Sequence, residues 1–187
     1  MADDRQLVRA HLGGDRGAFS TLMERHQRRV YNIAYRMLGR PEDAADATQD
    51  VFLTCLRKLS GYRGDSAFTT WLHRVTVNVC HDALRRRSRE QPARDEDGPE
   101  PSSRDLADAA VAAVDVQRAL CLVPEEFRAP LVLHDLQDLP YDEIAGILGA
   151  PVGTVKSRIH RGRVALAKAL RGEPHPPPGP SNVQETM

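Results

Sequence analysis

The chain has 187 residues, 41% of them hydrophobic, with 26 Lys and Arg against 26 Asp and Glu and a formal charge of zero. That length supports one or two domains with real cores, and a balanced charge says nothing by itself for or against nucleic acid, so charge distribution has to decide. Cys55, Cys80 and Cys121 are an odd, widely spaced set outside any CxxC or Cys/His pattern, which disfavours a disulfide framework and metal or redox chemistry, and no apolar run has the length of a membrane span or a signal peptide.

Glycine and proline clusters separate helix-patterned segments, and no alternating Val/Ile/Thr/Tyr run predicts a strand. The expected fold is all-α: two small helical domains joined by a flexible linker, the second containing a helix-turn-helix. Asp3 or Asp4 caps a short helix through Leu12, ended by Gly13-Gly14. A longer helix from about Gly17 to Leu38 carries Phe19, Leu22, Met23, Val30, Ile33, Ala34 and Met37 at helical spacing, with Arg25, Arg28, Arg29 and Arg36 on its other face. Gly39-Arg40-Pro41 breaks it. A third helix, Glu42 to Ser60, is expected to bury Ala47, Val51, Phe52, Cys55, Leu56 and Leu59, and its first turn collects acids at the positive end of the helix dipole.

The loop GYRGDSA, residues 61–67, leads into a fourth helix, Phe68 to about Ser88, with Phe68, Trp71, Leu72, Val75 and Val79 inward and Arg85-Arg86-Arg87 at its end. Arginines at a helix C-terminus complement the dipole, but three in a row plus Arg74 and Arg89 exceed what capping needs and point to nucleic acid. Residues 89–105 contain no large apolar side chain and are rich in acids and prolines, so they are expected to form a disordered acidic linker. Residues 1–88 are then the first domain and 106–171 the second, with 172–187 a disordered proline-rich tail.

In the second domain, an alanine-rich helix from Leu106 to Leu122 and a segment from Pro124 to Leu136, with Pro130 inside it, precede the most readable stretch, Leu139 to Arg163. Tyr141, Ile144, Ala145 and Leu148 share one face of a short helix, Gly149 ends it, and Val152, Val155 and Ile159 give the next helix its own apolar stripe. Small Ala145 and Gly149 suit a close helix crossing. Thr154, Lys156, Ser157, Arg158, Arg161 and Arg163 project away from the apolar side, with no acid between Glu143 and Glu173, as on a basic recognition helix. The plain alternative is a helical hairpin with a solvated basic face.

Enzyme chemistry finds no footing: there is no GxxxxGKS/T, HExxH, GxSxG or GxGxxG motif, and His134-Asp135 are adjacent on a helix and point apart. No catalytic residue, metal or cofactor is expected. Tyr62, Phe68 and Trp71 surround a glycine-containing loop ahead of the arginine-rich helix, and aromatics among cations stack unpaired bases; Phe68 and Trp71 read as core, leaving Tyr62 as the stacking residue.

Three stretches, RPEDAADATQDVFLTCLRKL, YRGDSAFTTWLHRVTVNVCHDALRRR and LVPEEFRAPLVLHDLQDLPYDEIAGILGAPVGTVKSRIHRGR, together resemble the extracytoplasmic-function (ECF) group of bacterial RNA polymerase sigma factors. The resemblance implies a cytoplasmic, non-enzymatic factor that binds core RNA polymerase through its clamp helices and flap, and that recognises −35 duplex and melted −10 promoter DNA. It implies that Asp46, Gln49, Asp50 and Phe52 dock on the polymerase, that Tyr62, Arg63, Gly64, Asp65 and Ser66 capture a flipped base of the −10 element, and that Asn78, Asp82, Arg85 and Arg86 support that reading. Thr154, Lys156, Ser157, Arg158, Arg161 and Arg163 become −35 contacts. An anti-sigma partner is implied too, and the chain is too short for the additional C-terminal domain of some members. A stand-alone helix-turn-helix regulator and a protein-interaction adaptor are the alternatives.

Overall fold

The computed structural model describes residues 2–90 and 108–173. Among the described residues eight helices follow one another: α1 Asp4–Leu12, α2 Arg16–Leu38, α3 Pro41–Lys58, α4 Phe68–Glu90, α5 Asp108–Leu122, α6 Glu125–Asp135, α7 Tyr141–Leu148 and α8 Val152–Leu170, with one 3-10 turn at Leu59–Gly61. Among the described residues there is no strand, and no helix is long and apolar enough to cross a membrane. Residues 91–107, most of the expected acidic linker, and 174–187, most of the expected tail, lie outside the described residues. Arg89 and Glu90, assigned to the linker from sequence, continue α4.

Local chemistry sets the boundaries. Asp3 and Gln6 form a reciprocal capping box on α1, the Asp3 carboxylate accepting from the Gln6 amide at 2.7 Å. Asp15 accepts from the amides of Gly17 and Ala18 at the start of α2. Gly39 closes α2 in the left-handed region at φ 86°, and Pro41 opens α3 at a position that needs no amide proton. Gly149 closes α7 in the same left-handed way. Pro130 sits inside α6 and is buried, so α6 gives up one intrahelical bond there.

Helices α1 to α4 form the first lobe and α5 to α8 the second, yet one hydrophobic cluster runs through both, from Val30, Ile33 and Leu72 to Val132, Ile144 and Val155. Polar contacts seal the seam. Gln117 on α5 donates to the Tyr35 carbonyl at 2.9 Å and accepts from Arg36 at 3.0 Å. The Arg128 guanidinium, buried on α6, donates to the carbonyls of Cys121, Val123 and Met37. Arg74 on α4 donates to the Gly146 carbonyl near the C-terminus of α7 at 2.5 Å, so it caps a helix of the other lobe.

Two expectations change, and one pairing is new. Leu56 is 47% exposed rather than core, because Val51, Phe52, Cys55 and Leu59 already fill the buried face of α3. Gly149, expected to allow a close helix crossing, has open space around it, whereas at Gly162, where α8 meets α6, an added Cβ would lie 3.0 Å from the Phe127 carbonyl oxygen. His26 pairs with Asp4 at 2.8 Å, from 22 residues away, a partner that local spacing does not reveal.

Candidate nucleic-acid and polymerase interfaces

The recognition helix α8 is held by its buried residues Val155, Ile159, Gly162 and Ala165 against α5, α6 and α7. Its predicted contact residues are differently engaged. Ser157 is exposed, its hydroxyl donating back to the Thr154 carbonyl at 2.9 Å, while Thr154 and Arg158 are half-buried. Lys156 lies over the Tyr141 ring at 5.4 Å and Arg161 over the Phe127 ring at 5.9 Å, which fixes where the two charges are presented. Arg163 makes a two-pronged pair with Asp135, at 3.0 and 2.6 Å, which pushes its pKa further up; it reaches DNA only by exchanging that partner. The acid missing from the local sequence is supplied by α6.

Exposed His160, four residues from Lys156 and three from Ser157, lies in the middle of the outward face of α8. His160 was not among the expected contacts, although the helical period alone places it on that face.

In the first lobe the loop is pre-shaped. The Tyr62 hydroxyl donates to the Ser66 carbonyl at 2.6 Å, and its half-buried ring meets Phe68 edge-on at 5.8 Å and Trp71 at 5.6 Å. Gly64 takes φ 79°, a conformation only glycine adopts cheaply, while Arg63, Asp65 and Ser66 are exposed. Asn78, Asp82 and Arg85 follow at i, i+4 and i+7 on one exposed face of α4, with Arg85 donating to Asp82. From the start of α4 to Asn78 and Asp82 is roughly 15–21 Å at 1.5 Å per residue. At about 3.4 Å per nucleotide that is about four to six nucleotides of one strand.

Arg86 points elsewhere. It pairs with Asp50 at 3.6 Å across a groove of about 610 Å³ between α3 and α4, which Asp46, Gln49 and Leu53 also line. The structure therefore groups Arg86 with the predicted polymerase-docking residues. Phe52 is only 7% exposed and belongs to the core, so it acts on that surface by holding α3 in place. Leu53, which the sequence reading left out, is 55% exposed on the same groove and supplies an apolar contact among the carboxylates.

No group of three or more His, Cys, Asp or Glu among the described residues could hold a metal ion. His134, paired in sequence with Asp135, instead stacks on Tyr141 at 4.6 Å with Nδ1 2.9 Å from the Leu139 carbonyl oxygen.

Comparison with known proteins addresses the same two regions. Residues 22–90 match the family model for Sigma-70 region 2, and residues 113–166 that for Sigma-70, region 4. The chain is 41% identical over 167 residues to the ECF RNA polymerase sigma factor SigM of Mycobacterium tuberculosis, covering 89% of this chain and 84% of that protein. It is 34% identical to the RNA polymerase sigma-H factor of Pseudomonas aeruginosa, covering 90% and 94%, and 35% identical to the ECF RNA polymerase sigma-E factor of Escherichia coli, covering 87% and 92%. Two solved structures share the fold: the sigma factor RpoE of Bartonella quintana in complex with the anti-sigma factor NepR (TM-score 0.68, 23% identity, 82% of this chain and 96% of that one), and CnrH in complex with the cytosolic domain of CnrY (TM-score 0.69, 24% identity, 91% and 99%).

Proposed function

Because the chain belongs to the ECF RNA polymerase sigma factors, which direct RNA polymerase to promoters, we propose a division of that task among its surfaces. The groove between α3 and α4, with Asp46, Gln49, Asp50 and Leu53, docks on the core polymerase clamp helices. The loop at Tyr62 to Ser66 takes an unstacked base of the −10 element, and Asn78, Asp82 and Arg85 follow the melted strand along α4. Helix α8 reads the −35 duplex through Ser157 and Arg158, with Lys156, His160 and Arg161 on the phosphates and the groove edge.

The observation that carries this reading is the Tyr62 loop. Its ring is braced by two aromatics and its hydroxyl is committed within the loop, so a half-exposed stacking surface is ready beside a solvent-facing arginine before any ligand arrives. The factor supplies specificity and no bond-making chemistry, works in the cytoplasm where the polymerase is, and touches the polymerase flap with its second lobe. The fold shared with sigma factors solved alongside anti-sigma partners supports an anti-sigma factor for this chain as well.

Run-off transcription tests the assignment. The purified chain, added to core polymerase, should yield products from a defined subset of a promoter library. DNA binding that needs no polymerase would instead make it a stand-alone regulator, and neither activity would leave only an adaptor role.

A further inference from the structure

Helix α1 lies ahead of the region matched by either family model and has no role in the reading above. The structure gives it a fixed place. Its capping box orders its first turn, and Asp4 holds it to α2 through Arg25 at 2.6 Å and His26 at 2.8 Å. From there α1 leans on the Tyr62 loop: Arg5 donates to the Gly64 carbonyl at 3.1 Å. Between the two runs a groove of about 460 Å³, within the usual range for small-ligand sites.

The lining is unusual for a helix surface. Arg5 and Arg9, four residues apart on α1, face the same groove as Arg63 of the loop. Like charges at that spacing repel and cost an isolated helix a few tenths of a kcal/mol, a local conflict that calls for a compensating ligand. Among the described residues neither Arg5 nor Arg9 has a carboxylate within ion-pair distance, and the one acid on the groove, Asp3, is committed to the α1 cap. Beneath the cations lie the Tyr62 ring and Leu12, the latter 51% exposed despite being a large apolar side chain. Three cations over an aromatic and an aliphatic surface match one chemistry well, a nucleotide of single-stranded DNA with its flanking phosphates.

We propose that α1 is the second wall of the base-capture site, with Arg5 and Arg9 holding the phosphates that flank the nucleotide lodged against Tyr62, and Leu12 packing on its sugar or base. The proposal rests on the reading of the Tyr62 loop as the capture element. It makes α1 a contributor to melted-strand affinity that neither family model covers.

The test uses holoenzyme assembled from the full chain and core polymerase. The probe is a labelled promoter fragment recovered from a randomised library by run-off transcription with the unaltered chain, rebuilt with its −10 segment unpaired. Arg9→Gln should weaken binding about tenfold at low salt, the scale of one charge-assisted contact, and should lower the slope of log affinity against log salt by about 0.7. Arg5→Gln should do the same, while Arg5→Lys should restore the slope because the charge returns. Among the described residues the Arg9 side chain makes no hydrogen bond or ion pair, so its effect should come without a change in melting temperature; a purely structural role would lower the melting temperature and leave the slope alone. Unaltered affinity and slope for both Gln variants, alongside a loss for Tyr62→Ala, would overturn the role of α1 and keep the loop reading. Unaltered binding for Tyr62→Ala and Arg63→Gln as well would remove the loop reading and this inference with it.

Discussion

Arg128 on α6 donates from Nη1 to the carbonyl oxygen of Met37 at 2.6 Å, joining residues 91 apart in sequence. Met37 lies in the last turn of α2, where helix carbonyls have no intrahelical partner, and the same guanidinium also serves Cys121 and Val123 at the end of α5. One planar cation thus closes two helix ends that belong to different lobes, with burial pulling its pKa down and the carbonyl dipoles satisfying its donors.

Truncating that side chain removes the donor from three carbonyls, those of Met37 and Val123 at buried contacts and that of Cys121 at a part-buried one. Arg128→Ala should lower unfolding stability by about 3 kcal/mol or more. Arg128→Lys should recover less than half, because a point charge cannot span the three acceptors. Urea denaturation followed by circular dichroism measures both.

Gly39 carries two separate demands. Its left-handed φ of 86° costs any other residue about 1–2 kcal/mol, and an added Cβ would collide with the Cys121 Sγ. Gly39→Ala should therefore destabilise by more than the backbone term alone. Combining it with Cys121→Ala should relieve the collision and leave the backbone cost, so melts of the two single variants and the double should give a favourable coupling of about 1 kcal/mol.

His73 is 2% exposed, and among the described residues neither ring nitrogen has a hydrogen-bond partner. Burial, reinforced by Arg29 and His26, pushes its pKa down from 6.5 to about 4. Between those values the unfolded chain binds the proton and the folded chain does not, so stability is full above pH 6.5 and declines as pH falls toward 4. The loss should approach about 3 kcal/mol. Stability measured from pH 7 to pH 4 should show that slope, and His73→Phe, which removes the titrating ring nitrogens, should flatten it.

The proposed clamp-docking groove between α3 and α4 and the proposed −35 surface on α8 lie on different lobes and should separate by mutation. Leu53→Asp should weaken core binding by about tenfold or more, since it removes an apolar contact worth about 1.5–3 kcal/mol and adds a charge. Lys156→Ala should leave core binding intact, weaken promoter binding across sequences, and lower its salt slope by about 0.9. Core binding followed by fluorescence anisotropy, and promoter binding by holoenzyme against salt, read the two effects. Equal loss of both activities in both variants would defeat the division of surfaces.

The helices were legible because their signals are local. Gly39, Pro41 and Gly149 punctuate, and an apolar period of 3.6 sets the inward faces of α2, α7 and α8. What the sequence did not reveal depends on residues far apart in the chain. Nothing near Arg163 announces Asp135, nothing near His26 announces Asp4, and nothing near Arg128 announces Met37. Leu53 and Leu56 were hard for another reason: on α3 the apolar residues outnumber the positions that the core can cover, so periodicity alone could not tell which would be left outside.

The three thiols are not equivalent as chemical handles. Burial pushes Cys55 and Cys80 up to about 12, which leaves on the order of one thiolate in 10⁵ at neutral pH. Cys121 is half-buried, with its sulfur against Gly39 at the seam between the lobes. A maleimide added to the folded, unmutated chain should meet Cys121 first, and a fluorophore installed there would sit on the boundary whose opening or closing it could report.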